Sequence, residues 1–126
     1  MSPSEHDEQA ALFAWADLNQ RKYPALKLLF AIPNGGHRHI AVALKLKAEG
    51  VKAGVPDIFL PVSRFLSRKD RYYSYHGLFI EMKRRKGGVV GPSQGEWVEK
   101  LKEQGYMCEV ANGFEAAKKI IEDYLK

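Results

Sequence analysis

The chain has 126 residues, 45% of them hydrophobic, which suits one globular domain over residues 1–126 and leaves no room for a second core. Its formal net charge at pH 7 is +5, and basic residues cluster at positions 64–71 and 83–86, a pattern that favours a polyanionic partner although excess lysine also serves solubility. The single cysteine, Cys108, excludes an internal disulfide, and the lack of a signal-like or membrane-spanning apolar stretch predicts a cytoplasmic protein.

The first predicted element is a helix from Ser2 to about Asn19. Serine as N-cap, proline at the first helical position and Glu5 three residues after the cap are typical of a helix start. The apolar stripe of this helix is expected to comprise Ala11, Leu12, Trp15 and Leu18. Glu8 continues the stripe one turn earlier, so its carboxylate should lie at the edge of the core-facing side. The alternative is that an acid in the first turn only complements the helix dipole.

The next stretch of the chain predicts a strand, a helix and a second strand. The apolar run 28–32 predicts a buried strand that ends in a turn at Pro33–Gly36, and a helix follows from about His37 to Glu49. Residues 57–62 predict a strand that Pro61 would place near an edge or an end of a sheet. The polar and aromatic stretch that follows fits either an extended hairpin or an irregular loop.

The rest of the chain predicts two more strands and two more helices. Residues 77–83 form the clearest strand, an apolar run that becomes charged only at its end. Capping signals at Ser93 and Asn112 predict helices that begin there, with a strand at residues 106–110 between them. The predicted order, α-β-α-β-β-α-β-α, indicates an α/β fold with a central mixed β-sheet flanked by helices.

Three charged residues stand out on these strands. Glu81 and Lys83 are two positions apart on one strand, so their side chains project from the same face. Asp57 begins the preceding strand candidate, and all three charges converge if the two strands are neighbours. Two carboxylates, with the backbone carbonyl of Met82 as a further oxygen ligand, match what Mg²⁺ takes from a protein. A Glu-x-Lys triplet by itself is more often an exposed ion pair on a solvated face.

Such a site suits phosphodiester hydrolysis. A divalent cation lowers the pKa of an attacking water and neutralises the charge that grows on the phosphate. A lysine at position 83 is suited to positioning that water, to deprotonating it, or to stabilising charge as a fixed cation.

The motif Pro56-Asp57, followed by Glu81-Met82-Lys83 after an apolar strand, resembles the PD-(D/E)XK nuclease superfamily. The resemblance narrows to the virus-type replication-repair nuclease (VRR-NUC) domain through further matches in order: Glu8, Ile32–Gly36, Gly54–Asp57 and Gln94. It covers the chain from about Glu5 to Val110. It implies a restriction-endonuclease-like core, a metal-dependent DNA endonuclease, and similarity to stand-alone enzymes encoded by phages, which would act in the host cytoplasm.

The resemblance also implies a role for each matched residue. Asp57 and Glu81 would bind the metal, Mg²⁺ or Mn²⁺, and Lys83 would be the catalytic lysine. Glu8 would reach the metal directly or through water from the first helix. Gln94 would help to orient the water or the phosphate.

Residues expected to contact DNA come from a glycine-rich turn and two basic segments. Asn34 and Gly35 would approach the site or the DNA backbone, where glycine permits close contact, unless this is an ordinary turn. The segment 62–76 interleaves cations with tyrosines, which suits phosphate contact and base stacking, so it is expected to meet DNA or a second subunit. A plain solvated hairpin fits equally well. The arginines of this set are Arg64, Arg68, Arg71, Arg84 and Arg85.

The implied substrate is branched DNA, including four-way (Holliday) junctions cut by a homodimer, because a two-fold symmetric junction needs two cuts and one small domain offers one active site. Cleavage of 5′ flaps or of DNA in general is the nearest alternative, and dependence on a helicase or targeting domain is another. A non-cleaving DNA-binding module is the alternative from a different class. Converging carboxylates argue against it, because they repel phosphate unless a cation lies between them.

Overall fold

The structure, a computed structural model, describes residues 2–33 and 39–126. The helices in these ranges are α1 (Glu5–Leu18), a 3-10 helix (Pro24–Leu28), α2 (Ile40–Ala48), α3 (Pro92–Glu103) and α4 (Phe114–Leu125). The strands are β1 (Phe30–Ala31), β2 (Ile58–Leu60), β3 (Arg64–Arg68), β4 (Arg71–Tyr75), β5 (Leu78–Lys83) and β6 (Met107–Asn112). No helix within the described ranges has both the length and the apolar character to cross a membrane.

A four-stranded mixed sheet with the order β1-β2-β5-β6 organises the described part of the chain. β2 pairs antiparallel with β1 and with β5, whereas β5 and β6 run parallel. α1 and α4 pack against this sheet and against each other, and α3 connects β5 to β6. The predicted α/β fold, with a central mixed sheet flanked by helices, is confirmed.

β3 and β4 form a separate two-stranded hairpin, which decides between the hairpin and the loop that the sequence allowed. Lys69 and Asp70 close the hairpin with positive φ angles of 49° and 63°. The register therefore places Arg68 and Arg71 opposite each other at the tip.

Every residue of β5 is buried. The strand lies between β2 and β6, and Leu12 of α1 and Ile121 of α4 belong to the same hydrophobic core. A strand enclosed in this way is expected to be apolar throughout, yet Glu81 and Lys83 are buried with it. Because a buried charge is costly without partners, this end of β5 is where chemistry is expected.

Three helix starts among the described residues differ from the sequence prediction, and the start predicted at about His37 lies outside those residues. α1 begins at Glu5 instead of just after Ser2, because Ser4 is the N-cap and its Oγ accepts a hydrogen bond from the N of Asp7 at 3.1 Å. α3 is capped by Gly91 instead of Ser93, and α4 by Gly113 instead of Asn112. Several capping residues stand close together at each start, so the local pattern does not choose between them.

The buried stripe of α1 consists of Glu8, Leu12 and Ala16, which are four positions apart. The prediction that Ala11 and Leu18 belong to it is wrong, since both are exposed. Leu18 follows Ala16 by two positions, which is about 200° around a helix of ~3.6 residues per turn, so it faces away from the core.

Two strands are shorter than predicted. β1 comprises only Phe30–Ala31, because the residues before it form the 3-10 helix that starts at Pro24. β2 ends at Leu60, directly before Pro61, so the proline lies at a strand end as predicted, although β2 is an inner strand.

Candidate active site

Asp57 lies beside the charged end of β5 because β2 and β5 are neighbours. The antiparallel register continues to place Asp57 opposite Glu81. Oδ2 of Asp57 accepts a hydrogen bond from the N of Met82 at 2.7 Å. The side chain of Asp57, the residue before β2, thus continues the hydrogen bonding between β2 and β5. The main-chain O of Asp57 accepts a hydrogen bond from the N of Ile32, also at 2.7 Å. Both contacts hold Asp57 at the junction of β1, β2 and β5.

Gln94, in the first turn of α3, bridges Glu81 and Lys83. Its Nε2 donates a hydrogen bond to Oε2 of Glu81 at 3.0 Å, and its Oε1 accepts one from Nζ of Lys83 at 3.0 Å. The N of Gly91 also donates to this Oε1, at 2.9 Å, which ties the glutamine to the start of its own helix. Nζ of Lys83 lies 3.4 Å from Oε2 of Glu81. The amide therefore holds the acid and the lysine in one fixed arrangement.

Burial determines the electrostatics of this cluster. Asp57 is 9% exposed, Glu81 3% and Lys83 8%. Burial, followed by repulsion from and hydrogen bonding to the carboxyl group of Asp57, raises the pKa of Glu81 to about 8, and Lys83 offsets part of that rise. At neutral pH the carboxyl group of Glu81 therefore retains its proton in the absence of a cation.

The donor set fits a divalent cation. Mg²⁺ typically takes one or two carboxylates from a protein and keeps several waters, and two adjacent carboxylates that repel each other are stabilised by a cation between them. The N–H and C=O of a strand residue leave the same strand edge, so the carbonyl of Met82 leaves β5 on the side of Asp57. Within residues 2–33 and 39–126, no three or more His, Cys, Asp or Glu side chains are grouped to hold a metal. The candidate ligands that converge are thus Asp57, Glu81 and the Met82 carbonyl.

The structure does not bring Glu8 into this group. Its carboxylate is 2% exposed and accepts hydrogen bonds from Nε and Nη2 of Arg85, at 2.9 and 2.8 Å, and from the N of Phe114 at 3.2 Å. The hydrogen bond from Arg85 is the largest of the causes that lower the pKa of Glu8. The contacts seen for Glu8 therefore differ from the metal contact that the sequence led us to expect, and Arg85, expected at the DNA, is paired within the protein.

Two glycines that lie against buried charged side chains were not singled out by the sequence. A Cβ atom at Gly88 would lie 2.6 Å from the Cβ of Lys83, and one at Gly113 would lie 2.9 Å from Oε2 of Glu8. Gly113 also has a φ angle of +97°. Both positions therefore require glycine so that the backbone can pass the buried charged side chains.

The residues expected to contact DNA fall into three groups. Asn34 and Gly35 lie outside the described residues. Arg64 is used within the fold, because it donates hydrogen bonds to the main-chain O atoms of Tyr124 and Lys126 and so ties the hairpin to the end of α4. Arg68, Arg71 and Arg84 are exposed, the first two at the hairpin tip.

Comparison with known proteins identifies a family for this fold. The model of the VRR-NUC domain matches residues 2–115. A solved structure named "VRR_NUC domain protein" is similar to this chain with a TM-score of 0.78 and 28% sequence identity, and the match covers 99% of this chain and 90% of that chain. No curated protein sequence matched. The resemblance inferred from the motifs is confirmed at the level of the family.

Proposed function

Because this chain belongs to the VRR-NUC domain family and has its nuclease fold, we propose that it is a metal-dependent endonuclease that hydrolyses phosphodiester bonds in branched DNA, including four-way junctions. The observation that carries the proposal is the convergence of Asp57, Glu81 and Lys83 at one end of β5, with Gln94 bridging the last two. Charged side chains buried together at one end of an inner strand are unfavourable for folding unless they serve chemistry.

The proposed ligands of the metal are the carboxylates of Asp57 and Glu81 and the carbonyl of Met82. When bound, Mg²⁺ or Mn²⁺ would acidify the attacking water and neutralise charge on the phosphate. The hydrogen bond from the N of Met82 to Asp57 orients one carboxylate, and the amide of Gln94 orients the other. Both acids are thus held before any ligand arrives, which limits the reorganisation needed during reaction.

Lys83 is the proposed catalytic lysine. Its Nζ is held 3.0 Å from Oε1 of Gln94 and 3.4 Å from Oε2 of Glu81, so the ammonium group lies at the edge of the acid pair. From this position it is suited to hold the nucleophilic water or to stabilise charge on the phosphate as a fixed cation. Gln94 serves as the residue that positions it.

The exposed cations supply the proposed electrostatic contact with DNA. Arg68 and Arg71 lie directly opposite each other at the hairpin tip, and like charges so placed repel unless an anion lies between them. Replacement of both by alanine is expected to weaken DNA binding and to reduce its salt dependence, since each lost phosphate contact lowers the slope of log K against log salt by about one. If the DNA affinity and its salt dependence are both unchanged in this variant, the hairpin tip does not contact DNA.

A homodimer is proposed because a four-way junction requires two cuts. α2 supports it, since none of its residues is buried, and Ile40 and Leu44, one turn apart, are 75% and 63% exposed. Burial of this face against a second copy would remove exposed apolar surface from water. Sedimentation of the wild type and of Leu44→Glu tests this: a dimer that becomes a monomer is expected, and identical sedimentation excludes α2 from an interface.

The activity is tested with labelled four-way junction, 5′-flap, single-stranded and linear duplex DNA in Mg²⁺ or Mn²⁺. Branched DNA should be cut by the wild type, and Lys83→Ala or EDTA should abolish the cut. Lys119→Ala is the matched control, because it removes an exposed lysine of α4 that lies outside both basic clusters and should leave cleavage unchanged. Preferential cutting of the flap would favour flap cleavage. Binding that survives EDTA without any cleavage would instead indicate a non-cleaving DNA-binding module.

A further inference from the structure

A groove of about 590 Å³ adjoins Asp57, between α1 and the chain that leaves β1. Its lining, among the described residues, comes from one face of α1, from β1 and the residues that follow it, and from Asp57. The volume lies within the roughly 300–1,000 Å³ of sites that hold small ligands, so a nucleotide-sized group fits. Asp57 therefore belongs both to the acid pair and to this groove.

α1 turns a distinct face to the groove. The four lining residues of the helix follow the spacing i, i+3, i+4, i+7, which places them on one side of it: His6, Gln9, Ala10 and Phe13. The buried residues of α1 are a different set, Glu8, Leu12 and Ala16, although Phe13 also packs against the hydrophobic core. Because Ala10 has only a methyl side chain, it keeps this side of the groove open.

The lining chemistry suits a sugar–phosphate strand. The side-chain N–H groups of His6 and Gln9 are donors available to phosphate oxygens. Phe13, Ile32 and Pro33 provide an apolar wall for a sugar or a base edge. Among the described lining residues Asp57 is the only acid, and it is the acid that the proposed metal would neutralise.

We propose that this groove binds the stretch of DNA strand adjoining the scissile phosphate, with His6 and Gln9 donating hydrogen bonds to backbone phosphate oxygens and Phe13 contacting a sugar. The inference rests on the proposed function, because Asp57 is the point at which the groove meets the metal site. A DNA strand bound in the groove would run along α1 and reach the acid pair, Asp57 and Glu81.

Filling the groove tests the proposal. Ala10→Trp places a large side chain in it, whereas Ala11→Trp is the matched control, because Ala11 is the next exposed alanine of the same helix and does not line the groove. Ala10→Trp is expected to weaken binding of a labelled four-way junction by about tenfold or more, as loss of several backbone contacts would. Mn²⁺ affinity, measured by calorimetry without DNA, should stay unchanged in both variants. Gln9→Ala should raise KM severalfold and leave kcat nearly unaltered.

Photocrosslinking separates this inference from the nuclease assignment. The photoreactive residue p-benzoylphenylalanine is placed at position 10 or 11, and each protein is irradiated with the labelled junction in Mn²⁺. Crosslinks from position 10 and not from position 11 support the groove, even if the wild type cuts no DNA and the proposed function fails. If Ala10→Trp binds the junction as tightly as the wild type and position 10 gives no crosslink, the groove proposal is overturned. Cleavage by the wild type would in that case still support the nuclease proposal.

Discussion

Arg85 donates hydrogen bonds from Nε and Nη2 to the two carboxylate oxygens of Glu8, at 2.9 and 2.8 Å. The same carboxylate accepts a hydrogen bond from the N of Phe114, so one buried side chain joins α1, the residues after β5 and the start of α4. Because Lys83 precedes Arg85 by only two residues, this contact helps to fix the end of β5 that carries the proposed catalytic lysine.

Glu8→Gln is expected to lower the urea midpoint of unfolding near neutral pH and to matter less in acid. The hydrogen bond from Arg85, above all, holds the pKa of Glu8 below its ordinary value of 4.5. A lowered carboxyl pKa stabilises the fold above the unfolded value and ceases to do so as the pH falls through the folded value. Urea unfolding of both proteins between about pH 3 and pH 7 measures the difference, which should shrink below about pH 4.5.

The same variant separates two roles for Glu8. If Glu8 acts by holding Arg85, Mn²⁺ affinity of Glu8→Gln should equal that of the wild type. A large loss of Mn²⁺ affinity in a folded variant would restore the metal contact expected from the sequence. A difference in urea midpoint that is constant with pH would argue against the stabilising ion pair.

Gly113→Ala should destabilise the protein by about 1–3 kcal/mol, the cost of a backbone conformation that only glycine adopts readily. Its φ angle is +97°, and an added Cβ would lie 2.9 Å from Oε2 of Glu8. Gly95→Ala is the control, because Gly95 lies within α3 and its Cβ would meet nothing within 4 Å. That change should stabilise the protein by about 0.5–1 kcal/mol. Chemical denaturation compares them, and equal effects of the two substitutions would refute the prediction.

Mn²⁺ binding should tighten as the pH rises toward about 8, the value to which burial and the neighbouring Asp57 raise the pKa of Glu81. Below that pH the cation must displace a proton, so the apparent affinity should gain up to about tenfold per pH unit. Calorimetry in buffers of different ionisation enthalpy counts the protons released. Asp57→Asn removes the repulsion that raises this pKa, so both proton release and affinity should fall. Affinity that does not vary with pH would contradict the prediction.

Gln94→Ala is expected to reduce cleavage by about 10–100-fold, the usual effect of losing a residue that orients metal ligands. The substitution removes the hydrogen bonds that hold Glu81 and Lys83 in place. Glu96→Ala is the control, since Glu96 is exposed on the same helix. Single-turnover cleavage rates at saturating Mg²⁺ give the comparison, and equal rates in the two variants would exclude a positioning role for Gln94.

The sequence by itself determined the fold class, the family and the face shared by Glu81 and Lys83, because these depend on local periodicity and short motifs. The two-residue repeat of a strand places Glu81 and Lys83 on one face, and the alternation of apolar runs and capping signals indicates an α/β fold. The motif around Asp57 and Glu81 indicated the superfamily, and the further matches at Glu8, Ile32–Gly36 and Gln94 narrowed it to the family that the comparison confirms. Helix starts and the buried stripe of α1 were less well predicted, because neighbouring residues satisfy the same local pattern and packing chooses among them.

Tertiary structure alone decided how distant residues are paired. The adjacency of β2 and β5 brings Asp57 to the N of Met82, 25 positions away. Arg85 is turned to Glu8, 77 positions away, and Arg64 to the main-chain O of Tyr124, 60 positions away, so neither arginine is simply an exposed cation. Such pairs depend on which faces of the helices and the sheet pack together. The packing is determined by burial of the whole core, and a local sequence pattern does not contain that information.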